Sequence, residues 1–165
     1  MDKKMSVEEL RDNIIDFLWE NKSGSLATCM NNVPRSSPVK YFLGKDMEIF
    51  ILSAGGDKFK AIEQNPNVCL LVNTEYVDYR RIKGVQIFGK AKTCLQDKSI
   101  FEEAKVYNTD YELMEREGHN LHAIKITPEE IVYLDSLEDG DRTKQILKEE
   151  EVSVKSDDFA MAMFP

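Results

Sequence analysis

Val85-Gln86-Ile87-Phe88-Gly89-Lys90-Ala91-Lys92-Thr93-Cys94 is the stretch that decides the fold. Val85, Ile87, Gly89, Ala91 and Thr93 fall on one parity, and Gln86, Phe88, Lys90, Lys92 and Cys94 on the other. Successive side chains of a strand point to opposite faces, so a period of two marks a strand with one face in the core. Working outward, residues 26–30, 35–43, 47–52 and 68–72 also read as strands. Two of them, 47–52 and 68–72, are near-continuous apolar runs, as expected of strands covered on both faces. Asn31-Asn32 and Gly44-Lys45-Asp46 supply turns. Pro38 places its strand at an edge or a bulge, because proline cannot donate to a ladder. Residues 121–126 and 131–134 form a last strand or strand pair, interrupted at Thr127-Pro128. Six or so strands joined by short turns, without βαβ alternation, predict a mainly β chain with flanking helices. Its antiparallel sheet should curl into a barrel.

The helices are marked separately. Ser6 and Glu9 form a capping box before Val7, Leu10, Ile14 and Leu18, a stripe widened by Ile15 and Phe17. That helix should end near residues 21–24, with Gly24 as a left-handed cap. Asp57 reads as the N-cap of a short helix with Phe59 and Ile62 on its apolar side, stopped at Asn65-Pro66. Asp97 caps another helix carrying Ile100, Phe101 and Ala104. Phe17, Trp19 and Phe101 read as core aromatics. One domain is expected over residues 1–135. Residues 136–165 read as an acidic, partly flexible tail containing Glu149-Glu150-Glu151 and closing on an apolar segment with Met161, Met163 and Phe164.

The 165 residues carry Asp+Glu 30 against Lys+Arg 22, a formal charge of -8. That balance argues against bulk nucleic-acid binding, which needs cations gathered on one face. Cys29, Cys69 and Cys94 lie far apart in apolar runs, without zinc-ligand spacing, and read as reduced core cysteines, so no metal is expected. No run approaches the roughly 18 apolar residues of a membrane span. The start, Met-Asp-Lys-Lys, is not a signal core. A cytoplasmic protein without membrane contact is expected.

Two cation groups, Arg35/Lys40 and Lys58/Lys60, flank the apolar strand 49–53, with Ser36, Ser37 and Ser53 beside them. The layout suits a ligand with a phosphate at one end and a flat apolar body at the other. Lys58 opens a helix, whose N-terminal amides and dipole favour a phosphate. Gly55 and Gly56 let the backbone approach closely. Arg35 offers a planar fork for phosphate oxygens. Each cation also reads as a plain surface residue. No nucleophile with its base stands out. Tyr76, Tyr79, Arg80 and Arg81 form an aromatic-basic loop, suited to gating a substrate or crossing an interface.

The ordered series Leu26-Ala-Thr28, Arg35-Ser-Ser-Pro-Val39, residues 49–53, Lys58 opening a helix, Asn65-Pro-Asn-Val68 and Gly84-Val-Gln-Ile-Phe-Gly89 resembles the pyridoxamine 5′-phosphate oxidase-like family. This is the FMN-binding split barrel group, which also holds general-stress and nitroimidazole-resistance proteins. The resemblance covers about residues 7–134. It implies an antiparallel split β-barrel and a homodimer with FMN bound in clefts between the subunits. It implies Arg35 and Lys58 as phosphate cations, and Ser36, Ser37, Val39 and Lys40 as the strand lining the flavin. Leu52 and Ser53 would face the ribityl chain and phosphate. Gln86, or its neighbours Gly84 and Val85, would approach the ring. Lys40 would stand near the ring's N1–C2 edge and stabilise its reduced anion.

Departures matter too. True pyridoxamine phosphate oxidases carry Ser-Arg-Lys where this chain has Gly56-Asp57-Lys58. They also end in an Arg- and Trp-containing segment that this chain lacks. Vitamin B6 oxidation is therefore not expected. The expectation is an FMN-binding flavoprotein, a flavin-dependent oxidoreductase acting on a small-molecule substrate with an electron donor. The alternatives are a haem-binding or haem-degrading split barrel, using His119 or His122, and a non-catalytic flavin-binding stress protein.

Overall fold

The computed structural model describes residues 4–157. Helix α1 (Val7–Glu20) precedes β1 (Ser23–Met30), β2 (Val33–Leu43), β3 (Ile49–Ser53), α2 (Asp57–Gln64), β4 (Asn67–Asn73) and β5 (Lys83–Thr93). Then come α3 (Ser99–Tyr107), α4 (Tyr111–Glu117), β6 (His122–Asp135), β7 (Lys144–Lys148) and β8 (Glu151–Lys155). The eight strands form one antiparallel sheet in the order β3-β2-β1-β4-β5-β6-β7-β8, and an extra β3–β6 pairing closes it. The mainly β, antiparallel split barrel is thus the observed architecture.

The split lies in β6. Its first half pairs with β3 on one side and with the end of β5 on the other; Ile49 faces Ile126 and Thr93 faces Ile124. Its second half leaves β3 and pairs with β7 instead, Val132 facing Ile146. The change comes at a bulge. Phe88 faces Glu130 but Gly89 faces Pro128, leaving Glu129 as the extra residue. Pro128 cannot donate, and a bulge is where a sheet tolerates it. Gly89 is required opposite: a Cβ there would sit 2.3 Å from the Thr127 carbonyl oxygen. The expected interruption at Thr127-Pro128 is therefore a bulge within one continuous strand.

Alternation puts Leu26, Leu70, Ile87, Ile131 and Leu147 on the interior face, all buried. Helix α1 adds Leu10, Ile14, Phe17 and Leu18 to this core. It is capped by Ser6, whose Oγ accepts the Glu9 amide at 3.1 Å. The Tyr41 hydroxyl donates to the Leu18 carbonyl at 2.8 Å, tying α1 to β2. A second core lies outside the barrel wall, where Phe42, Phe50, Leu52 and Ala123 meet Ile100 and Ala104 of α3. This explains why strand β3 reads as apolar on both parities: both faces are covered. Strand β4, by contrast, alternates, with Leu71 outward.

Several expectations are corrected. Helix α1 ends on Asn21, whose side chain donates to the Phe17 carbonyl. Gly24 lies inside β1 rather than in a left-handed cap, and a Cβ on it would stand 2.5 Å from the Leu71 carbonyl oxygen. Gly56, at φ 112, takes the N-cap position of α2, and Asp57 is its first residue, with no capping bond. Trp19 is not core; it is 58% exposed. Helix α4, with no buried residue, carries no apolar stripe to reveal it. The largest correction concerns the acidic stretch after residue 135. Residues 144–155 form the hairpin β7–β8, which buries Gln145, Leu147 and Val152. Glu149 and Glu150 make its two-residue turn at φ 51 and 61. Asn31 and Asn32 make the matching turn between β1 and β2 at φ 54 and 61. Asparagine advertises that conformation and glutamate does not. The remainder of the expected tail, from residue 158 on, lies outside the described residues.

Candidate functional site

The nine expected site residues separate into groups by strand parity. Arg35 and Ser37 share the inward-facing parity of β2 with Val39 and Tyr41, opposite Thr28 and Leu26. Near the open end of that face, Arg35 meets the start of α2, its Nη1 lying 3.4 Å from Asp57 Oδ2. Ser53 ends β3 on the same side and holds the following bend, with its Oγ 3.3 Å from both the Gly55 amide and the Gly55 carbonyl oxygen. The Lys58 ammonium donates to that carbonyl at 2.8 Å. Gly55 and Gly56, at φ 133 and 112, make the bend possible; L side chains rarely adopt that backbone. Arg35, Ser53 and Lys58, from three separate elements, thus come together at the N-terminus of α2.

Lys58 is half-buried, and burial holds its ammonium below the ordinary lysine value. Its neighbours are the Gly55 carbonyl and the Phe59 ring, and it takes part in no ion pair among the described residues. A cation without a counter-ion at a helix N-terminus has the chemistry of an anion site. Of the first-turn amides of α2, that of Phe59 is taken by the Gly56 carbonyl at 3.2 Å, and those of Asp57 and Lys58 point the same way as the ammonium. Asp57, the negative charge beside them, is drawn off by Arg35.

Ser36 and Lys40 lie on the other face of β2. Lys40 pairs with Asp110 at 3.6 Å, remote in sequence but adjacent through the α3–α4 connection. Gln86 also points outward. Cross-strand pairing aligns it in a row, Pro38–Ser25–Leu71–Gln86–Val132–Ile146, beside a second row, Ser36–Ala27–Cys69–Phe88–Glu130. Leu71 and Phe88 are each 37% exposed, so this outer face is apolar in part and uncovered. Val39 and Leu52 are different. Their side chains are buried in the inner and outer cores.

Two clefts open elsewhere on the surface. One, of about 1060 Å³, runs between α1, the β2–β3 turn and the β7–β8 hairpin; the other, of about 390 Å³, lies between α1, β2 and the α3–α4 connection. Lys40 borders the smaller cleft, but Arg35, Ser53, Lys58 and Gln86 border neither. In the cation cluster Arg35 and Asp57 are exposed, and Ser53 and Lys58 are half-buried.

The sequence pattern of the pyridoxamine 5′-phosphate oxidase family matches residues 10–135. The chain belongs to that family. No curated protein matches it significantly. Among solved structures it is similar to general stress protein 26 from Bacillus anthracis, with 24% identity over 76% of this chain and 93% of that one, and a TM-score of 0.58. It is also similar to a FAD-binding protein from Mesorhizobium loti, with 22% identity over 72% and 89% of the two chains and a TM-score of 0.54. A third similar structure is a haem-binding protein from Mycobacterium smegmatis, with 13% identity, a TM-score of 0.62, and coverage of 94% of this chain and 60% of that one. At these identities the structural neighbours establish the shared split-barrel fold.

Other residues fall into place on this family frame. His122 pairs opposite Ser53 and presents its ring edge-on to Phe59 at 5.8 Å, next to the cation cluster. His119 is exposed and, among the described residues, bonds Asn120. Arg80 and Arg81 turn from the aromatic loop to the 137–140 carbonyls, and Arg80 also binds Asp157. Tyr76 and Tyr79 stay exposed. Sequence reading missed the Gly55 carbonyl as the clasp of Lys58, because a backbone acceptor has no letter. It also missed the outward Leu71, whose neighbours in the sequence are all apolar. Among the described residues no helix is long and apolar enough to cross a membrane, and no group of metal-ligating side chains assembles.

Proposed function

We propose that this family member is an FMN-binding flavoprotein that acts as a flavin-dependent oxidoreductase on a small molecule. The observation that carries the reading is Lys58: a half-buried ammonium, lowered by burial and without a counter-ion, set at a helix N-terminus beside Arg35. A phosphate monoester supplies the missing charge. The family membership and the FAD-binding neighbour support a flavin as its bearer.

In this reading the Lys58 ammonium and the Asp57 and Lys58 amides at the start of α2 would bind the phosphate. Arg35 swings from Asp57 to share it, a small cost because that exposed pair contributes little. Ser37 and Ser53 offer hydroxyls toward the ribityl chain. The outer-face rows through Ser36 and Gln86 give a flat, partly apolar surface for the ring. A second subunit would complete the site by covering that face, and its partly apolar, uncovered surface supports this reading. Bound FMN supplies hydride and single-electron chemistry; the protein orients it and sets its electrostatics.

The test is direct. FMN added to the purified protein should shift or quench flavin fluorescence and stabilise the fold by about 2.7 kcal/mol at a hundredfold excess over its dissociation constant. No change in spectrum or stability at saturating FMN overturns the proposal. A Soret band with haem in place of any flavin response would put the haem-binding reading in its stead.

A further inference from the structure

Strand β5 ends in an unusual way. The Cys94 amide donates to the Ala123 carbonyl at 2.9 Å, as a ladder continuing along β6 requires. The reciprocal bond does not go to a carbonyl. The Ala123 amide donates to the Cys94 sulfur at 3.2 Å. The chain has already turned at this point, with Gln96 and Asp97 amides both on the Thr93 carbonyl. The thiol has replaced the backbone as the acceptor of that N–H.

A second polar group stands at the same sulfur. His122 Nδ1 lies 3.9 Å from Sγ, at the long end of a sulfur hydrogen bond. Its ring is held from the other side by Phe59. The backbone N–H aimed at the sulfur fixes its position beside the imidazole. An adjacent imidazole is the usual group to take the proton. Cys94 is half-buried at the rim of the second core, and Cys29 and Cys69 are half-buried too. What sets Cys94 apart from them is the imidazole and the amide at its sulfur.

We infer that Cys94 and His122 form a thiol–imidazole pair that reacts with hydroperoxides. His122 Nδ1 takes the thiol proton and the sulfur attacks one oxygen of the peroxide. An S–O bond forms as the O–O bond breaks. Sulfur is oxidised by two electrons and the peroxide is reduced. The leaving hydroxide, or the alkoxide of an organic hydroperoxide, takes the proton from His122 and departs as water or alcohol, leaving Cys94 as a sulfenic acid. No thiol of the same chain can then close a disulfide. Cys69 faces Phe88, six residues back along β5, which is about 20 Å of strand. Cys29, on β1, is level with Lys90, two strands across and four residues back, also too far for a disulfide. The sulfenic acid is therefore open to a small external thiol. This inference stands on the pair alone and does not depend on flavin binding.

The experiment treats the full-length reduced protein with hydrogen peroxide in the presence of dimedone and maps the three cysteines by peptide mass spectrometry. The same chain unfolded in urea sets the rate for a cysteine with no structure around it. Labelling of native Cys94 at least tenfold faster than native Cys29 and Cys69, and faster than Cys94 in the unfolded chain, is the expected result. In folded His122→Gln, Cys94 should slow to the unfolded-chain rate. Native Cys94 reacting no faster than the unfolded chain, or an unchanged rate in folded His122→Gln, overturns the inference. If that variant does not fold, the native-to-unfolded ratio of the unsubstituted protein decides.

Discussion

Lys58 is held by one backbone carbonyl and a ring, in partial burial. If it binds the FMN phosphate with Arg35, removing either should weaken FMN and spare riboflavin, which has no phosphate. A charge-assisted hydrogen bond is worth roughly 1.5–3 kcal/mol. Lys58→Ala and Arg35→Ala should each cost about one to two decades in FMN affinity, measured by fluorescence titration, with riboflavin changing little. Equal losses for both ligands would mean these residues support the ring or the fold instead. A pH dependence follows as well. Burial lowers the ammonium of free Lys58, whereas a bound phosphate raises it, so binding takes up protons in the interval between. FMN affinity should therefore fall as pH rises, starting below the usual lysine value of 10.5. Lys58→Arg, which stays charged, should flatten that fall, and riboflavin titrated in parallel removes any effect of the ring. In the free protein the sign runs the other way: the charged form is penalised by burial, and the penalty fades as pH rises through the lowered value.

Among the elements, the bulge in β6 and the β7–β8 hairpin make the clearest demands. Gly89→Ala would drive a methyl to 2.3 Å from the Thr127 carbonyl. Backbone does not yield as a flexible side chain does, so overpacking of this kind should cost about 1–3 kcal/mol, lowering Tm by roughly 2–4 °C for each kcal/mol. The hairpin predicts the opposite sign. Glu149 holds φ 51 in its turn, a region that asparagine tolerates better. Glu149→Asn should raise stability by up to about 1 kcal/mol. Glu150 should be left in place, since its carboxylate grips Arg11 of α1 at 2.8 Å. Thermal unfolding of both variants checks the pair of signs.

At the scale of the whole molecule, the outer rows through Leu71, Gln86 and Phe88 leave apolar area uncovered on a face that also carries Ser36. Large uncovered patches on a sheet mark contact surfaces. A C₂ homodimer through this face is expected, with a dimer mass in light scattering at micromolar protein. Leu71→Lys and Phe88→Glu, set on that face, should shift the mass toward monomer and weaken FMN together. Tight FMN binding by a stable monomer would contradict a site shared between subunits.

The strands were legible in the sequence where alternation or turn chemistry signalled them. Val85 to Cys94 declared its faces by parity, Asn31-Asn32 declared a hairpin, and the order of segments from Leu26 to Gly89 declared the family. Lys58 at the head of a helix, and Arg35 two strands before it, were candidates from residue type and spacing alone. What the sequence could not carry was anything depending on a partner far along the chain. That Val39 and Leu52 belong to cores was decided by what lies across from them: the barrel interior for one, α3 for the other. Gly24 and Gly89 are needed because carbonyls of Leu71 and Thr127 approach them, and no local rule foretells that approach. The acidic hairpin hid because Glu149 and Glu150 do not look like a turn; pairing with β6 and burial of Leu147 and Val152 overrode local preference. Periodicity is a local property and fixes which face of an element is apolar. Closure of β3 on β6, and the meeting of Arg35 with α2, are matters of long-range pairing, settled only when the chain is folded.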